Sequence, residues 1–285
     1  MKKLMVIAGI MYIAAVSLGD VAMTSGPINS TASWGGSALN LNTGYRLRGT
    51  GTVSSADNFT LSDPAVNNYL MVGDQAGNNA KVNMDGGNFT VAGRLRLGAA
   101  TGAAGTLNLS NGTLKVDYDL EVGRVNAGST GIVNMVGGTL NVAGNILIGS
   151  SAISSESAIF NYTGGSVQVG GQFQMADGTL NYQLGVGPIV CNQRVGSSTV
   201  DLALIDLIVP GGYSHIAGTT NVIIRSNTQS GTFKLATDSG NVDMVNGAAV
   251  MVSGYPFKVI NTATQLGLVS GTKTKSLSLV VISSL

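Results

Sequence analysis

Three acidic side chains, Asp117, Asp119 and Glu121, are spaced two residues apart in the segment "DYDLEV". In an extended chain this spacing places all three on one face of a strand. Outward carboxylates with a nearby arginine could hold a calcium ion and bind an acidic sugar, as the chemistry of a polysaccharide lyase requires. These three residues are the catalytic candidates, and the sequence assigns no catalytic residue beyond them.

A structural interpretation of the same acids is simpler. Arg94 and Arg96 occupy equivalent positions one repeat earlier. We therefore expect two ion pairs between neighbouring turns, Arg94 with Asp119 and Arg96 with Glu121, each worth about 0.2–1 kcal/mol at a surface. We favour this interpretation because the next repeat offers only Asn145 and Leu147 at the matching positions.

The elements that position these side chains belong to a repeat. Four segments align without gaps: "KVNMDGGNFTVAGRLRLG" (81–98), "TLNLSNGTLKVDYDLEVG" (106–123), "IVNMVGGTLNVAGNILIG" (132–149) and "IFNYTGGSVQVGGQFQMA" (159–176). All length variation falls in the connectors that follow each segment. A fixed unit of about 25 residues with one elastic loop is typical of stacked structural repeats.

Each repeat contains three short runs in which apolar and polar residues alternate. This period of two predicts three short strands per repeat with alternate side chains pointing inward. The fold class is therefore all-β, a parallel β-solenoid (β-helix) of about five coils. An antiparallel meander is the competing fold, but strands this short make poor hairpins and a meander has no reason to repeat.

Two kinds of residue recur at fixed places in the coils. The asparagine column comprises Asn83, Asn108, Asn134 and Asn161, and a glycine follows fifteen residues later at Gly98, Gly123 and Gly149. A ligand-binding stripe is one interpretation of the asparagines; we favour an amide ladder in which each side chain bonds to the next. Paired small residues such as Gly86-Gly87 predict a turn between the first and second strands.

The sequence outside the repeats divides into three further parts. Residues 1–19 have two lysines, an apolar core and small residues near the end, which predicts a signal peptide. Residues 20–56 are assigned to an N-terminal segment and cap, residues 57–185 to the solenoid, with Asn58 beginning a less regular first copy, and residues 186–285 to a C-terminal β region. That last part is either irregular further coils or a β-sandwich cap.

Composition limits the function classes. The net charge is +1, and the chain has 10% charged residues and 41 glycines, so we expect no nucleic-acid binding. The residues predict no cofactor, no metal site and, after signal cleavage, no transmembrane segment. Cys191 is the single cysteine, which leaves no internal disulfide and is interpreted as a small buried side chain.

Repeats of the form "VNMVGGTLNVAGNILIGS", with the downstream segment "GSSTVDLALIDLIVPGGYSHIAGTTNVIIRSNTQSGTF", resemble the β-strand repeats of bacterial autotransporter-passenger-like and PEP-CTERM-type exported proteins. The resemblance covers roughly residues 57–237. It implies a surface or extracellular β-solenoid, although no Pro-Glu-Pro motif follows "SLVVISSL".

The sequence thus predicts an exported protein, extracellular or at the cell surface, with a structural or adhesive role. Its expected partners are an extracellular polysaccharide, the surface of a host or neighbouring cell, or further copies of the chain. The alternative is a carbohydrate-active β-helix enzyme, a polysaccharide lyase or hydrolase, that uses the acids at Asp117, Asp119 and Glu121.

Overall fold

A computed structural model describes residues 21–23, 26–30, 45–54, 57–61, 69–124, 126–150, 157–196 and 203–270. Every regular element in these ranges is a β-strand, and most strands pair in parallel with the strand one turn away. The predicted signal peptide, residues 1–19, and the last part of the predicted C-terminal β region, residues 271–285, lie outside the described residues. The fold class predicted from the alternation, an all-β parallel β-solenoid, is confirmed.

The strands of the first half are β1 (Val21–Met23), β2 (Gly26–Pro27), β3 (Tyr45–Leu47), β4 (Thr50–Val53), β5 (Asn58–Leu61), β6 (Tyr69–Val72), β7 (Asn79–Val91), β8 (Arg94–Leu97), β9 (Ala104–Val116), β10 (Leu120–Val122), β11 (Thr130–Val142) and β12 (Ile146–Ile148). Those of the second half are β13 (Ser157–Met175), β14 (Gly178–Gln183), β15 (Ile189–Val195), β16 (Ala203–Ile208), β17 (Thr220–Arg225), β18 (Thr228–Ser230), β19 (Lys234–Thr237), β20 (Gly240–Asp243), β21 (Ala249–Val252), β22 (Tyr255–Asn261) and β23 (Gln265–Ser270).

Parallel pairing arranges these strands in three rows along the solenoid. The first row runs from β2 and β4 through the first halves of β7, β9, β11 and β13 to β14, β16 and β19. The second row runs from β5 through the second halves of β7 to β13, then to β15 and β17. The third row runs from β1, β3, β6, β8, β10 and β12 through the ends of β13 and β15 to β18.

The described strands make about seven turns, so the predicted count of about five coils is corrected. The additional turns flank the repeats: β1 to β4 stack before them, and β15 to β19 continue the parallel rows after them. Their sequences were not recognised as repeats because the asparagine and glycine columns do not extend into them.

The interior is a continuous apolar core. The four repeats contain three runs each, and each run has two inward positions; all 24 of these side chains are at most 5% exposed. The early turns bury the single aromatic side chains of Tyr45 and Phe89 among aliphatic ones, and edge-on aromatic pairs such as Phe160 with Phe173 and Tyr162 with Tyr182 lie further along. Burying alternate side chains in this way supplies the main stabilisation of the stack.

The first two runs of each repeat form one bent strand instead of the two separate short strands expected. In β7 the register with β9 shifts on both sides of Asp85, and the chain bends at the glycine pair. The second glycine of the pair, Gly87, has a φ of +68°, which glycine adopts at low cost. The corner was therefore located correctly, but backbone pairing continues through it.

The C-terminal end closes the solenoid with antiparallel strands. In the second row β23 pairs antiparallel with β17, and β22 and β21 extend that sheet outward. In the first row β20 pairs antiparallel with β19. The sequence left two alternatives open for residues 186–285, irregular further coils or a β-sandwich cap. The described part begins as further parallel turns and ends in an antiparallel cap.

Candidate functional site

The acidic segment and the two arginines lie on neighbouring turns of the third row. Arg96 in β8 stands directly opposite Glu121 in β10, and Arg96 Nε lies 2.7 Å from a Glu121 carboxylate oxygen. Arg94 Nε lies 3.4 Å from Asp119 and 3.9 Å from Glu121. Both predicted ion pairs are thereby confirmed.

Further contacts bind each acid into the stack. Asp119 Oδ1 accepts hydrogen bonds from the backbone N–H and the side-chain amide of Asn145, both at 2.9 Å. Asp117 pairs with Lys115 at 2.7 Å. The Arg96 guanidinium in turn lies 4.8 Å from the centre of the Tyr69 ring, a cation–π contact that joins it to the preceding turn.

A polar row continues beyond Asp119, and sequence reasoning missed it. Asn145 Oδ1 accepts from the Gln172 N–H at 2.7 Å, and Gln172 Nε2 donates to Gln193 Oε1 at 2.9 Å. The acid, amide and glutamine at this corner differ in type, so no repeated letter marked the row. Their shared property is hydrogen bonding from one turn to the next, and this is what Asp119 contributes.

The asparagine column forms the predicted amide ladder. Each Nδ2 donates to the Oδ1 of the preceding turn, at 2.6 Å from Asn108 to Asn83, 2.7 Å from Asn134 to Asn108 and 2.6 Å from Asn161 to Asn134. The ladder gains a fifth member, Asn181, whose amide donates to Asn161 at 2.5 Å. The spacing of Asn181 from Asn161 is only 20 residues, outside the repeat interval, which is why it was missed.

At its N-terminal end the column contains Thr52, which lies opposite Asn83. Asn58, aligned with the column from the sequence, instead lies opposite Asn88 in the second row. That alignment is wrong because the first copy has a different spacing between its first and second strands. The third-row part of the same copy is confirmed, since Leu70 and Val72 lie opposite Leu95 and Leu97.

A groove of about 490 Å³ opens at this N-terminal end of the ladder, lined by polar residues together with Val53 and Met84. We call it the ladder groove; its polar lining comprises Thr52, Ser54, Asn83, Asp85, Asn108 and Ser110. Part of this lining is already engaged: Ser110 Oγ donates to the Met84 carbonyl, and Ser54 Oγ donates to Asp57. The groove was not foreseen, because it arises where the short first copy meets the regular repeats.

The glycine column is structural. Gly98, Gly123 and Gly149 have φ values of +70°, +56° and +65°. A Cβ on Gly98 would lie 2.3 Å from the Thr130 carbonyl oxygen of the next turn, and one on Gly149 would overlap the Asp177 carbonyl. These positions therefore combine a left-handed backbone with direct backbone contact between turns.

A buried arginine lies where the solenoid meets its cap. Arg194 is fully buried and lies opposite Phe173 in the parallel register, at a position that is apolar in every earlier repeat. Its guanidinium donates to Ser226 Oγ at 2.8 Å, to Asn261 Oδ1 at 3.0 Å, and to Gln229 Oε1 and the Thr262 carbonyl. Among the described residues all these acceptors are neutral oxygens, so the cation is solvated by the protein itself.

Cys191 and His215 are two further described residues whose side chains could in principle take part in a reaction. Cys191 is buried and unbonded to another cysteine, as expected, and burial raises the pKa of its thiol to about 11. His215 is half-buried, with its ring centre 5.0 Å from that of Tyr255 and 5.1 Å from that of Phe257. A thiol of this pKa is protonated at neutral pH and a poor nucleophile.

Within the described ranges no group of three or more histidine, cysteine or acidic residues is arranged to hold a metal ion. The same part of the chain has no helix long and apolar enough to cross a membrane.

Comparisons with protein-family models, with curated proteins and with solved structures found no match for this chain. The case for a function therefore depends on the geometry above.

Proposed function

We propose that this chain is a structural or adhesive β-solenoid protein whose rigid shape and repeated outer surface carry its function. The observation that supports this proposal is the use of the outward polar side chains. Asp119 and Glu121, which an enzyme would need, are paired with Arg94 and Arg96 of the neighbouring turn. The five asparagines of the ladder likewise bond to one another along the axis.

This bonding pattern favours stiffness over reactivity. Each carboxylate with a bound arginine is held in one position and neutralised, whereas a general base or metal ligand must be open to substrate or ion. Repeated contacts between adjacent turns make the stability of a solenoid a sum of nearest-neighbour interfaces. A rod built in this way presents the asparagine column on five successive turns, which suits binding to a repetitive partner.

Export and a surface location are part of the proposal and are supported by the sequence alone. The first nineteen residues have the pattern of a secretory signal. The repeats resemble those of exported bacterial proteins, as described above. The proposed partners are an extracellular polysaccharide, the surface of a host or neighbouring cell, or other copies of the chain.

Turnover on polysaccharides tests the non-catalytic role directly. The purified chain is incubated with neutral and acidic polysaccharides, with and without calcium, and released sugar is measured. We expect no release. Release that is abolished by Asp119→Ala and Glu121→Ala, but not by Asn161→Ala on the same solenoid, would establish the enzymatic alternative and overturn the proposal.

Localisation is tested in a bacterial host that expresses the full chain with an epitope tag. We expect the chain outside the cytoplasm, shortened by about the length of the predicted signal. The matched control replaces Lys2 and Lys3 by glutamate, which removes the positive n-region and should retain the unshortened chain inside. An identical distribution of both forms would contradict export.

A further inference from the structure

The ladder groove contains an amide N–H₂ and a carboxylate that have no partner among the described residues. Asn83 accepts from Asn108 through its Oδ1, and no acceptor within the described ranges bonds its Nδ2. The carboxylate of Asp85, two residues further along the same strand, makes no ion pair or hydrogen bond with the described residues and is exposed. Neighbouring polar residues of the lining, by contrast, are engaged in bonds within the protein.

The ladder gives the Asn83 amide a particular character. All ladder bonds run in one direction, with the donors pointing toward the N-terminal turns. Aligned hydrogen bonds polarise one another, so the terminal donor of such a chain is stronger than an isolated amide. The N–H₂ of Asn83 is that terminal donor, and it lines the groove.

The two groups make complementary demands on a ligand. The amide requires an acceptor, and the ionised carboxylate accepts only, so it requires a donor. Side chains two residues apart on a strand are separated by roughly 6–7 Å. Adjacent hydroxyl groups on a sugar ring meet both demands, because each hydroxyl both donates and accepts.

We propose that the ladder groove is a binding site for a neutral saccharide, with neighbouring ring hydroxyls held between the Asn83 amide and the Asp85 carboxylate. The hydroxyls of Thr52 and Ser110 line the same space and provide further polar contact. An acidic sugar is disfavoured because its carboxylate would face that of Asp85. This inference extends the proposed adhesive role by naming the class of partner and the place where it binds.

Binding is tested on the full chain by nuclear magnetic resonance. The methyl glycosides of glucose, galactose and mannose are titrated in turn, with glucuronate as the acidic arm, while the amide signals are followed. We expect at least one neutral glycoside to shift the side-chain signal of Asn83 and the backbone signals around Asp85, with a dissociation constant on the order of 1 mM for so open a site. Glucuronate should cause smaller shifts.

The deciding variant is Asp85→Asn, which retains the size of the side chain and removes its charge. We expect it to weaken binding about tenfold, the factor for loss of one charged hydrogen bond. Asp117→Asn is the matched control, since it neutralises another outward acid of the solenoid that is remote from the groove. Circular dichroism of both variants verifies that the fold is retained.

Three results would overturn this inference: no shift near Asn83 with any neutral glycoside, equal affinity in wild type and Asp85→Asn, or tighter binding of glucuronate. None of these affects the proposed structural role, which the turnover experiment tests separately. Polysaccharide turnover with groove binding intact would overturn the proposed function and leave the groove as a site.

Discussion

The central turns and the C-terminal end of this solenoid are stabilised in different ways. From β7 to β13 each inward column repeats apolar residues, and the outward asparagine column bonds to itself as a ladder. From β15 onward the columns change character, and the strands that follow β19 pair antiparallel. The third-row column shows the change most clearly, because Leu95, Leu120, Ile146 and Phe173 are followed by Arg194.

This difference shows how a repeated stack can end. Parallel in-register pairing would allow turns to be added without limit and leaves an edge that can pair with other chains. The antiparallel strands β20 and β23 cover two of the three rows, and Arg194 joins the last turns to the loop that begins at Asn261. The interior of the last turns is therefore polar where the cap supplies acceptors and apolar elsewhere.

The strongest test moves the arginine into the central turns. Ile146→Arg places the same side chain in the same column, between Leu120 and Phe173, where the neighbours are apolar. We expect the free energy of unfolding to fall by about 5 kcal/mol or more, since a buried unsolvated charge is very costly. Soluble yield and thermal unfolding measure the effect. Leu147→Arg is the control because it points outward opposite Glu121, and equal behaviour of the two variants would refute the comparison.

Removing the natural arginine comes next in size. Arg194→Ala removes the donor to Asn261, Thr262 and the buried Ser226 hydroxyl, and we expect a loss of about 3 kcal/mol. Hydrogen exchange should rise first in β22 and β23. Arg225→Ala, an exposed arginine of the same region, should change little. If exchange in the cap were unchanged in Arg194→Ala, the arginine would not be what joins the cap to the solenoid.

Two glycines with nearly the same φ allow the free-energy cost of a left-handed backbone to be measured apart from the cost of a clash between turns. Gly98 (φ +70°) touches the next turn, whereas Gly102 (φ +68°) has open space around it. Gly102→Ala should cost about 1 kcal/mol from the left-handed backbone, and Gly98→Ala about 2 kcal/mol more because the turns must separate. Urea unfolding of both variants measures the difference. Equal costs would mean that close stacking at this column is unimportant.

The N-terminal turns contain a charged counterpart to Arg194. The Asp74 side chain is buried, and although burial alone raises its pKa, hydrogen bonds from Arg48 and Arg46 outweigh this and hold the pKa below its ordinary value. These contacts therefore stabilise the fold at a pH above about 3.9, the pKa of an aspartate in the unfolded chain. The contribution is lost as the pH falls through the pKa of Asp74 in the folded protein.

We expect Asp74→Asn to be less stable than wild type at neutral pH and to approach it in acid. The deficit of Arg194→Ala should persist in acid, because its partners do not titrate. Unfolding midpoints measured from neutral pH to about pH 3 test both statements. A wild-type advantage over Asp74→Asn that is the same at every pH would contradict the ion-pair account.

The expected effects in the ladder are also small. Asn134 makes two ladder bonds and Asn181 one among the described residues. At about 1 kcal/mol per bond, Asn134→Ala should cost about 2 kcal/mol and Asn181→Ala about half of that. Chemical unfolding gives both values. A larger loss at Asn181 than at Asn134 would show that the ladder is stronger near the cap than in the central turns.

Sequence reasoning succeeded where the residues repeat. The alternation predicted all 24 inward side chains, and the spacing of Arg94 and Arg96 from the acids predicted both ion pairs. It failed where the spacing changes: Asn58 was aligned with the wrong row, Asn181 was missed, and the turns were counted as about five instead of about seven. A column is visible in a sequence only while the unit between the connectors keeps a fixed length.

The site depended still more on the fold. Asp85 and Thr52 carry no motif, and they share a groove because the β4 turn, with its different spacing, stacks under the first regular repeat. The polar row through Asn145 and Gln172 was missed for a related reason, since its members share bonding but not residue type.

The sequence by itself determined a parallel stack with similar residues one above another, because a constant period places each residue over its equivalent. Only the tertiary structure decided how the stack ends and where a ligand could bind. Arg194 meets Thr262 across 68 residues, and the two belong to no common repeat. Contacts of this kind depend on the three-dimensional path of the chain, and no local pattern of residues records them.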